Sequence, residues 1–402
     1  MHDILQALLY QSRPPSGMQF SLDAAPGCTV KGEHAMLDVA RLVRPGIGDI
    51  EPYVPGLTDD ELQKMYGFRR VVKLNANENA LGPSPLAIQA IQQELATLHH
   101  YPDGASERLR QAIADFHGLS VERVLVGNGS DDIIKLVSET FLEPGDEVVV
   151  PHPSFSQYSF GAAIMHASVR RVDLGPDFSY DVEAIADAVT DRTKLVYLCS
   201  PNNPTGTILT RAQAEWLLQA LPAHVVVIFD FAYNDYSLNP ERVVGDEGLF
   251  RDERVVALHT FSKLYGLAGL RVGYALANES LLSYVNRVRE PFNVNRVAQR
   301  AAAAALTDAA HRRASQEHAR TSRAFYEAEC QALGLRTTPA EGNFILVRTG
   351  DGRATTEALM KRGVMVRTGF AGLSEWVRIT YGTPEENALC LEALRAVLAA
   401  RV

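Results

Sequence analysis

The sequence predicts an α/β protein, with a mainly parallel seven-stranded sheet flanked by helices and a smaller α+β domain. From about residue 124 onward, apolar runs alternate with helical stretches, as a parallel sheet covered by helices requires. The predicted strands are the runs at residues 124–126, 147–150, 169–174, 194–199, 225–230, 255–258 and 272–276. Candidate helices between and after them lie near residues 131–142, 155–166, 181–190, 210–220 and 279–290.

The last hundred residues predict the smaller domain. A long alanine-rich helical region is expected near residues 296–333. Strands are expected near residues 343–348, 364–367 and 377–380, with helices near 353–362 and 384–400 covering them.

The start of the chain differs from the rest, because prolines and glycines punctuate it and no sustained periodicity follows. We therefore expect four parts: residues 1–40, an extension that is poorly ordered or loosely docked; 41–83, an N-terminal segment that joins the small domain; 84–295, the large domain; and 296–402, the small domain.

Composition excludes several classes of protein. An apolar content of 46% with 22% charged residues is ordinary for a globular enzyme, and the net charge of −9 without any Lys/Arg block argues against nucleic-acid binding.

The four cysteines are scattered without metal-ligand spacing, so we expect free thiols, a reducing compartment and no metal site. The short apolar stretch at the start is too short to span a membrane and lacks a basic leader, so a cytoplasmic enzyme is expected.

Residues 260–271 contain the candidate nucleophile. Lys263 follows a predicted buried strand and is surrounded by small and hydroxylated residues, a setting that suits a Schiff base with an aldehyde cofactor. Thr260, Ser262 and Arg271 would supply hydrogen bonds and charge for a phosphate on that cofactor. Taken alone, the stretch is equally compatible with an exposed loop lysine before a helix.

Two further loops follow predicted strands. Gly129, Ser130 and Asp131 precede a helix, and backbone N–H groups at a helix N-terminus bind phosphate readily. Asn203 lies in the proline-rich segment 200–206, where its amide could reach a ring oxygen. Glycine turns before helices are common, however, and a plain proline-rich turn remains an alternative at 200–206.

Asp230 ends an apolar strand that should be buried, and a buried carboxylate is costly unless it is paired. A protonated pyridine nitrogen would pair it and would make the ring a better electron sink. Tyr233, three residues on, could donate a hydrogen bond near the same ring. A helix N-cap is the alternative role for Asp230.

The order of these segments resembles the fold-type I aminotransferases that depend on pyridoxal phosphate (PLP). The shared segments are Gly-Ser-Asp at 129–131, Pro-Asn-Asn-Pro-Thr-Gly at 201–206, Asp-Phe-Ala-Tyr at 230–233 and Ser-Lys at 262–263 with Arg271. Five more are similar to the histidinol-phosphate aminotransferase branch: 74–83, 101–103, 293–295, 343–348 and 378–387. The resemblance covers roughly residues 42 to 400.

The resemblance implies a role for each cofactor-binding residue. Lys263 would hold PLP covalently and then move the substrate proton, while Asp230 would pair with the pyridinium nitrogen. Asn203 and Tyr233 would bind the phenolic oxygen. The cofactor phosphate would be surrounded by Gly129, Ser130, Asp131, Thr260, Ser262 and Arg271. A homodimer with shared active sites is also implied, because Tyr101 would reach the phosphate of the partner's cofactor.

The resemblance also implies a substrate site for an amino donor and a 2-oxo acid acceptor. Arg378 matches the arginine that grips the substrate carboxylate, a task that suits the bidentate guanidinium. Arg348 and Arg367 match positions that hold the substrate phosphate, and Tyr53 would line the pocket. For a lone arginine, a surface salt bridge is the ordinary alternative.

Departures from the family pattern bear on the substrate and leave the PLP chemistry intact. Phe231 stands where this branch usually has glutamate, and Phe155 where a tyrosine often stacks on the cofactor ring. Both changes are apolar and favour an aromatic amino donor. The matched segments and the three arginines Arg348, Arg367 and Arg378 nevertheless predict transfer from histidinol phosphate to 2-oxoglutarate, in histidine biosynthesis. The alternatives are an aromatic-amino-acid aminotransferase, a phosphothreonine decarboxylase-like enzyme and, least supported, a PLP-sensing regulator without activity.

Overall fold

A computed structural model of the chain describes residues 38–39, 42–44, 46–50, 59–68 and 70–400. The chain divides into two units, residues 1–58 and 59–402. In the first unit, the described residues include the short 3-10 helix Ile47–Asp49. Most of the expected extension, and the predicted pocket residue Tyr53, lie outside the described residues. The expected boundaries at residues 84 and 296 stay predictions.

The second unit contains the strands, which we number in chain order. They are β1 Val72–Lys73, β2 Val124–Gly127, β3 Glu147–His152, β4 Ser168–Asp173, β5 Thr193–Cys199, β6 Val226–Asp230, β7 Val255–Thr260, β8 Gly273–Ala277, β9 Phe344–Arg348, β10 Val364–Met365 and β11 Trp376–Thr380. The seven strands predicted for the central sheet are all present, in the order β2-β8-β7-β6-β5-β3-β4. Of these seven strands, only β8 runs in the opposite direction to the others. The prediction of a mainly parallel α/β sheet is therefore confirmed.

The helices of this unit surround the sheets. They are α1 Asp59–Tyr66, α2 Pro85–Glu94, α3 Glu107–His117, α4 Ser130–Phe141, α5 Gln157–Ile164, α6 Val182–Asp187, α7 Arg211–Ala220, α8 Glu279–Val288, α9 Arg296–Thr307, α10 Ala309–Ala332, α11 Gly352–Met360 and α12 Pro384–Ala399. The alanine-rich region is two helices, because Asp308 ends α9 and caps α10 by accepting a hydrogen bond from His311 N at 3.0 Å. None of the helices within the described ranges has the length and apolarity to cross a membrane.

The inner strands of the central sheet are buried on both faces, which explains their near-continuous apolar runs, whereas the edge strand β4 is partly exposed. Along β5, Leu195 and Tyr197 pack into one hydrophobic cluster, while Val196 and Leu198 pack into the other, and all four are fully buried. Successive side chains alternate between the two clusters because a strand directs them to opposite faces of the sheet, and helices cover both faces.

The carboxyl ends of the parallel strands meet at one edge of the sheet, where open α/β sheets bind ligands. Cys199 at the end of β5 is level with Asp230 at the end of β6. Gly273, which begins the antiparallel β8, is level both with Gly127 at the end of β2 and with Thr260 at the end of β7. The loops that follow these strand ends therefore share one edge of the sheet.

Two small sheets lie in the C-terminal part. Strands β9 and β11 pair antiparallel, and β1 pairs parallel with β10. Beyond β10, an antiparallel bridge joins Arg367 to Arg378 of β11. Thr380 N donates a 2.9 Å hydrogen bond to Leu74 O, so the segment after β1 runs along the end of β11.

Candidate active site

One side of the site is formed by the loops around the N-terminus of α4. Arg271 Nη1 donates to Ser262 Oγ at 3.3 Å, and its Nη2 lies 3.4 Å from Asp131 Oδ2. Ser262 N in turn donates to Thr260 Oγ1 at 3.1 Å. Ser130 begins α4, so the first N–H groups of that helix face a cation and two hydroxyls. This combination can bind a phosphate.

Gly129 is the position where this loop requires glycine. Its φ is +90°, a conformation that side chains rarely adopt, and an added Cβ would lie 2.6 Å from Arg271 Nη2. Any larger residue would displace the guanidinium.

Lys263 lies just after the end of β7 and is partly buried. Its Nζ donates to Ala76 O at 3.0 Å and lies 5.8 Å from the centre of the Tyr233 ring. Burial, together with the charge of Arg378, lowers the pKa of the Lys263 ammonium to about 8. A useful fraction of this amine is therefore unprotonated near neutral pH, as a nucleophile or base must be.

Asp230 ends β6 with its carboxylate buried and only 3% exposed. Its Oδ2 accepts a hydrogen bond from the Tyr158 hydroxyl at 2.6 Å, and its Oδ1 accepts one from Ala232 N at 3.0 Å. Burial raises the pKa of Asp230 to about 6, although both hydrogen bonds oppose this shift. Within residues 70–400 no cationic side chain forms an ion pair with it, and the charge of Lys263 offsets only part of the effect of burial.

A hydrogen-bond network orients the Tyr233 hydroxyl. Asn77 Nδ2 donates to Tyr233 Oη at 2.9 Å, while Thr380 Oγ1 donates to Asn77 Oδ1 and accepts from Asn77 N, both at 2.9 Å. Because the network directs the Asn77 amide nitrogen to Tyr233, the phenol already accepts a hydrogen bond. Its own proton is thus available to donate to a ligand.

Arg378 extends from β11 toward the same edge and is only 6% exposed. Its Nη1 donates to Asn203 Oδ1 at 2.6 Å, and its Nη2 donates to Asn75 O at 2.7 Å. The guanidinium also lies 5.5 Å from the ring centre of Phe344 and 5.2 Å from that of Phe370. These contacts hold Arg378 in place. Because Asn203 Oδ1 accepts from Arg378, the Asn203 amide nitrogen points away from that guanidinium.

Arg367 lies beside Arg378 across the antiparallel bridge. The two residues exchange backbone hydrogen bonds of 3.0 and 2.7 Å, and such directly opposed residues project from the same face of a sheet. Arg367 is half-buried, and its guanidinium forms no ion pair or side-chain hydrogen bond within the described ranges. Two adjacent cations, one of them without an anionic partner, form a setting that favours an anionic ligand.

The structure does not bring all of the predicted residues together. Arg348 lies two residues along β9 from the position opposite Arg378, and its guanidinium forms an exposed ion pair with Glu375 at 2.8 Å. Tyr101 is 78% exposed and stacks on Phe292, and within the described ranges its side chain makes no hydrogen bond or ring contact with the site residues of its own protomer. The roles assigned to Arg348 and Tyr101 stay predictions.

The two phenylalanines that depart from the family pattern occupy different places. Phe155 packs edge-on against Tyr158, with 5.6 Å between ring centres, and the Tyr158 hydroxyl in turn contacts Asp230. Phe231, by contrast, is buried in the hydrophobic core, with ring contacts to Phe229 and His259. An apolar residue at position 231 therefore fills the core and does not line the site.

Three residues of the site were not among the predicted ones. Asn77 belongs to the segment 74–83 that carried the resemblance, but its side-chain role depends on contacts far along the chain. Thr380 likewise belongs to the segment 378–387 that carried the resemblance, whereas Tyr158 appears in the sequence as an ordinary residue of a predicted helix. Only the pairing of distant elements brings them to Tyr233 and Asp230.

This fold and this arrangement of side chains are those of an aminotransferase. The chain belongs to the class I and II aminotransferases, whose family model matches residues 69–394.

The similar proteins narrow the comparison to one branch of that family. The histidinol-phosphate aminotransferase of Moorella thermoacetica is 43% identical over 373 residues, which are 92% of this chain and 96% of that protein. The enzyme of the same name from Symbiobacterium thermophilum is 41% identical, over 89% of this chain and 98% of that protein. The crystal structure of histidinol-phosphate aminotransferase from Sinorhizobium meliloti, in complex with pyridoxal-5'-phosphate, has a TM-score of 0.83 and 28% identity, and covers 90% of this chain and 98% of that one. The predicted resemblance is confirmed.

Proposed function

We propose that this protein is a PLP-dependent aminotransferase that transfers the amino group of histidinol phosphate to 2-oxoglutarate. The products are imidazole acetol phosphate and glutamate, and the reaction belongs to histidine biosynthesis. The observation that carries the proposal is the pairing of Arg367 with Arg378 across an antiparallel bridge, with the charge of Arg378 acting on the Lys263 amine. The names of relatives that match nine-tenths of the chain support the choice of substrate.

The residues present fit PLP. Arg271, Ser262 and the N-terminus of α4 would hold its phosphate, in the loop where a Cβ at Gly129 would be too close. Asp230, buried and without an ion pair to any described side chain, would pair with the protonated ring nitrogen. When bound, PLP supplies an electron sink for the substrate carbon that loses its proton.

The remaining chemistry comes from the side chains themselves. Lys263 would attach the cofactor and then accept and return the substrate proton, because its lowered pKa favours the unprotonated amine. Tyr233 would donate its free proton to the ring oxygen. Asn203 accepts from Arg378 through Oδ1, so its amide nitrogen would donate to the same oxygen.

The two arginines would also allow one site to bind two chemically different substrates. Histidinol phosphate carries a phosphate and no α-carboxylate, whereas glutamate and 2-oxoglutarate carry two carboxylates. A guanidinium accepts either anion in bidentate geometry. Arg367, which has no anionic partner in the described part of the chain, is the stronger candidate for the phosphate.

Replacing these arginines separately tests the substrate assignment. Arg367→Ala should lower kcat/KM for histidinol phosphate by roughly 10- to 100-fold, the effect of losing a hydrogen-bonded charge, with a smaller loss for glutamate. Arg378→Ala should impair both half-reactions. Single-turnover rates measured with each amino donor distinguish the effects of these two substitutions. The same rates in Arg348→Ala test whether the third predicted arginine contributes to substrate binding. Equal losses for both donors in Arg367→Ala would contradict the assignment.

The lowered pKa of Lys263 predicts how cofactor attachment depends on pH. The rate at which the apoenzyme takes up PLP covalently should rise with pH and reach half its maximum near pH 8, because only the unprotonated amine reacts. Stopped-flow absorbance would measure it. Arg378→Ala should move the midpoint upward, since the charge of Arg378 contributes to the shift. A midpoint near the ordinary lysine value of about 10.4 would contradict the prediction.

An aromatic amino acid is the second candidate donor. Phe155 supports it, because this ring packs against Tyr158, which bonds to Asp230, whereas Phe231 does not, because it is buried in the core. Steady-state rates with a panel of amino donors decide between the two. If phenylalanine or tyrosine exceeds histidinol phosphate in kcat/KM, the substrate assignment is wrong and the aminotransferase assignment survives.

We also propose a homodimer in which Tyr101 of each protomer reaches the cofactor phosphate of the other. Tyr101 is highly exposed and stacks on Phe292, which is itself 45% exposed. Leu95 and Leu98, more than half exposed, lie just before it in the chain. Apolar side chains exposed together are typical of a protein interface.

A cytoplasmic location completes the proposal. Its support is the three cysteines in the described part of the chain, Cys199, Cys330 and Cys390, which are buried free thiols. Such thiols are typical of a reducing compartment.

A further inference from the structure

A buried tyrosine on α5 contacts the carboxylate that would pair with the cofactor. Tyr158 is 0% exposed, and its hydroxyl donates a 2.6 Å hydrogen bond to Asp230 Oδ2. Within the described ranges this is the only side chain that bonds to Asp230, because the other donor is the backbone N–H of Ala232. Tyr158 therefore controls one of the two carboxylate oxygens.

The Tyr158 ring is held on two sides. It stacks on Tyr197, with 4.5 Å between ring centres and an interplanar angle of 13°, and it meets Phe155 edge-on at 5.6 Å. These contacts leave the phenol little freedom, so its hydroxyl stays aimed at Asp230. Tyr158 thus contacts two groups that would face the cofactor ring, the carboxylate and the Phe155 ring.

The hydrogen bond has a definite direction and a definite electrostatic effect. Burial and the charge of Asp230 raise the pKa of Tyr158 well above its ordinary value, so the phenol keeps its proton and donates it. A donor to a carboxylate favours the charged form and opposes the effect of burial on Asp230. Without it, the buried carboxylate would protonate more readily and could rotate.

We propose that Tyr158 is a positioning residue, which keeps the Asp230 carboxylate ionised and oriented to pair with the pyridine nitrogen of the cofactor. This inference rests on the proposed use of PLP. Tyr158 acts through Asp230 and does not itself touch the substrate. If Tyr158 only filled space in the core, its contribution would come from the ring alone. Phenylalanine would then replace it without loss of PLP affinity.

The test compares PLP affinity between apoenzyme variants, by absorbance titration at neutral pH. Tyr158→Phe removes one oxygen and keeps the ring, so the fold should be retained, as melting temperature would verify. We expect its PLP affinity to fall about 10-fold, the effect of one hydrogen bond to a charged group. Tyr197→Phe is the matched control, because Tyr197 is equally buried in the same ring stack and makes no hydrogen bond to Asp230 in the part of the chain described. It should bind PLP within about twofold of the wild type.

A double-mutant cycle separates action through Asp230 from a general effect on the core. In an Asp230→Ala background, Tyr158→Phe should change PLP affinity by less than about twofold, since the group it acts on is gone. The same loss in both backgrounds, or equal affinities of Tyr158→Phe and Tyr197→Phe, would overturn the inference. If the wild-type apoenzyme itself does not bind PLP, the proposed function fails first, so the two failures are distinguishable.

Discussion

Replacing Lys263 by alanine is expected to abolish transamination, with a loss of roughly 10³-fold or more, because the amine proposed to move the substrate proton is removed. PLP can still be held at its phosphate, since Arg271, Ser262 and the N-terminus of α4 are untouched. The variant should therefore bind PLP without a covalent bond. Borohydride treatment followed by peptide mass analysis would detect the cofactor fixed to residue 263 in the wild type and not in the variant.

A matched control is Lys135→Ala, which removes an exposed lysine on α4 that is paired with Glu139. It should retain both activity and fixation of PLP at Lys263. If Lys263→Ala still fixes PLP after borohydride treatment, the site of attachment is elsewhere in the chain.

Replacing Asp230 by alanine is expected to reduce turnover by several orders of magnitude. The carboxylate is buried at the end of β6, where it would pair with the ring nitrogen of the cofactor. Removing a single preorganised electrostatic partner commonly costs about 10²- to 10³-fold in kcat. Steady-state kinetics at saturating PLP would measure the loss in kcat separately from any weakening of cofactor binding.

Asp235→Asn is the control for the loss of a buried carboxylate. Burial raises the pKa of Asp235 to about 6, as it does for Asp230, but Asp235 lies near Arg312 and Arg242. Its replacement should leave kcat within a few fold of the wild type. An Asp230→Ala enzyme that keeps near-native turnover and only binds PLP more weakly would contradict the role proposed for Asp230.

The sequence by itself determined the central sheet and the residues at its edge. Buried parallel strands must be apolar on both faces, so their runs are visible in the sequence. The polar residues that follow them, Asp230 and Lys263 among them, must then lie at one edge. The break in the alanine-rich region at Asp308 escaped prediction, because the stability of a cap depends on contacts such as the 2.7 Å hydrogen bond that it accepts from Ser84.

Only the tertiary structure decided which neighbours each of several chemically equivalent side chains has. Arg348 and Arg367 are indistinguishable by type, yet strand register places the first in an ion pair with Glu375 and the second beside Arg378. In the same way, helix packing directs the Tyr158 hydroxyl to Asp230. Phe231 lies two residues beyond Phe229, on the same side of the extended chain, and is therefore buried in the core. Local sequence specifies the type of a side chain, whereas its partner comes from an element far along the chain, and that pairing exists only once the chain has folded.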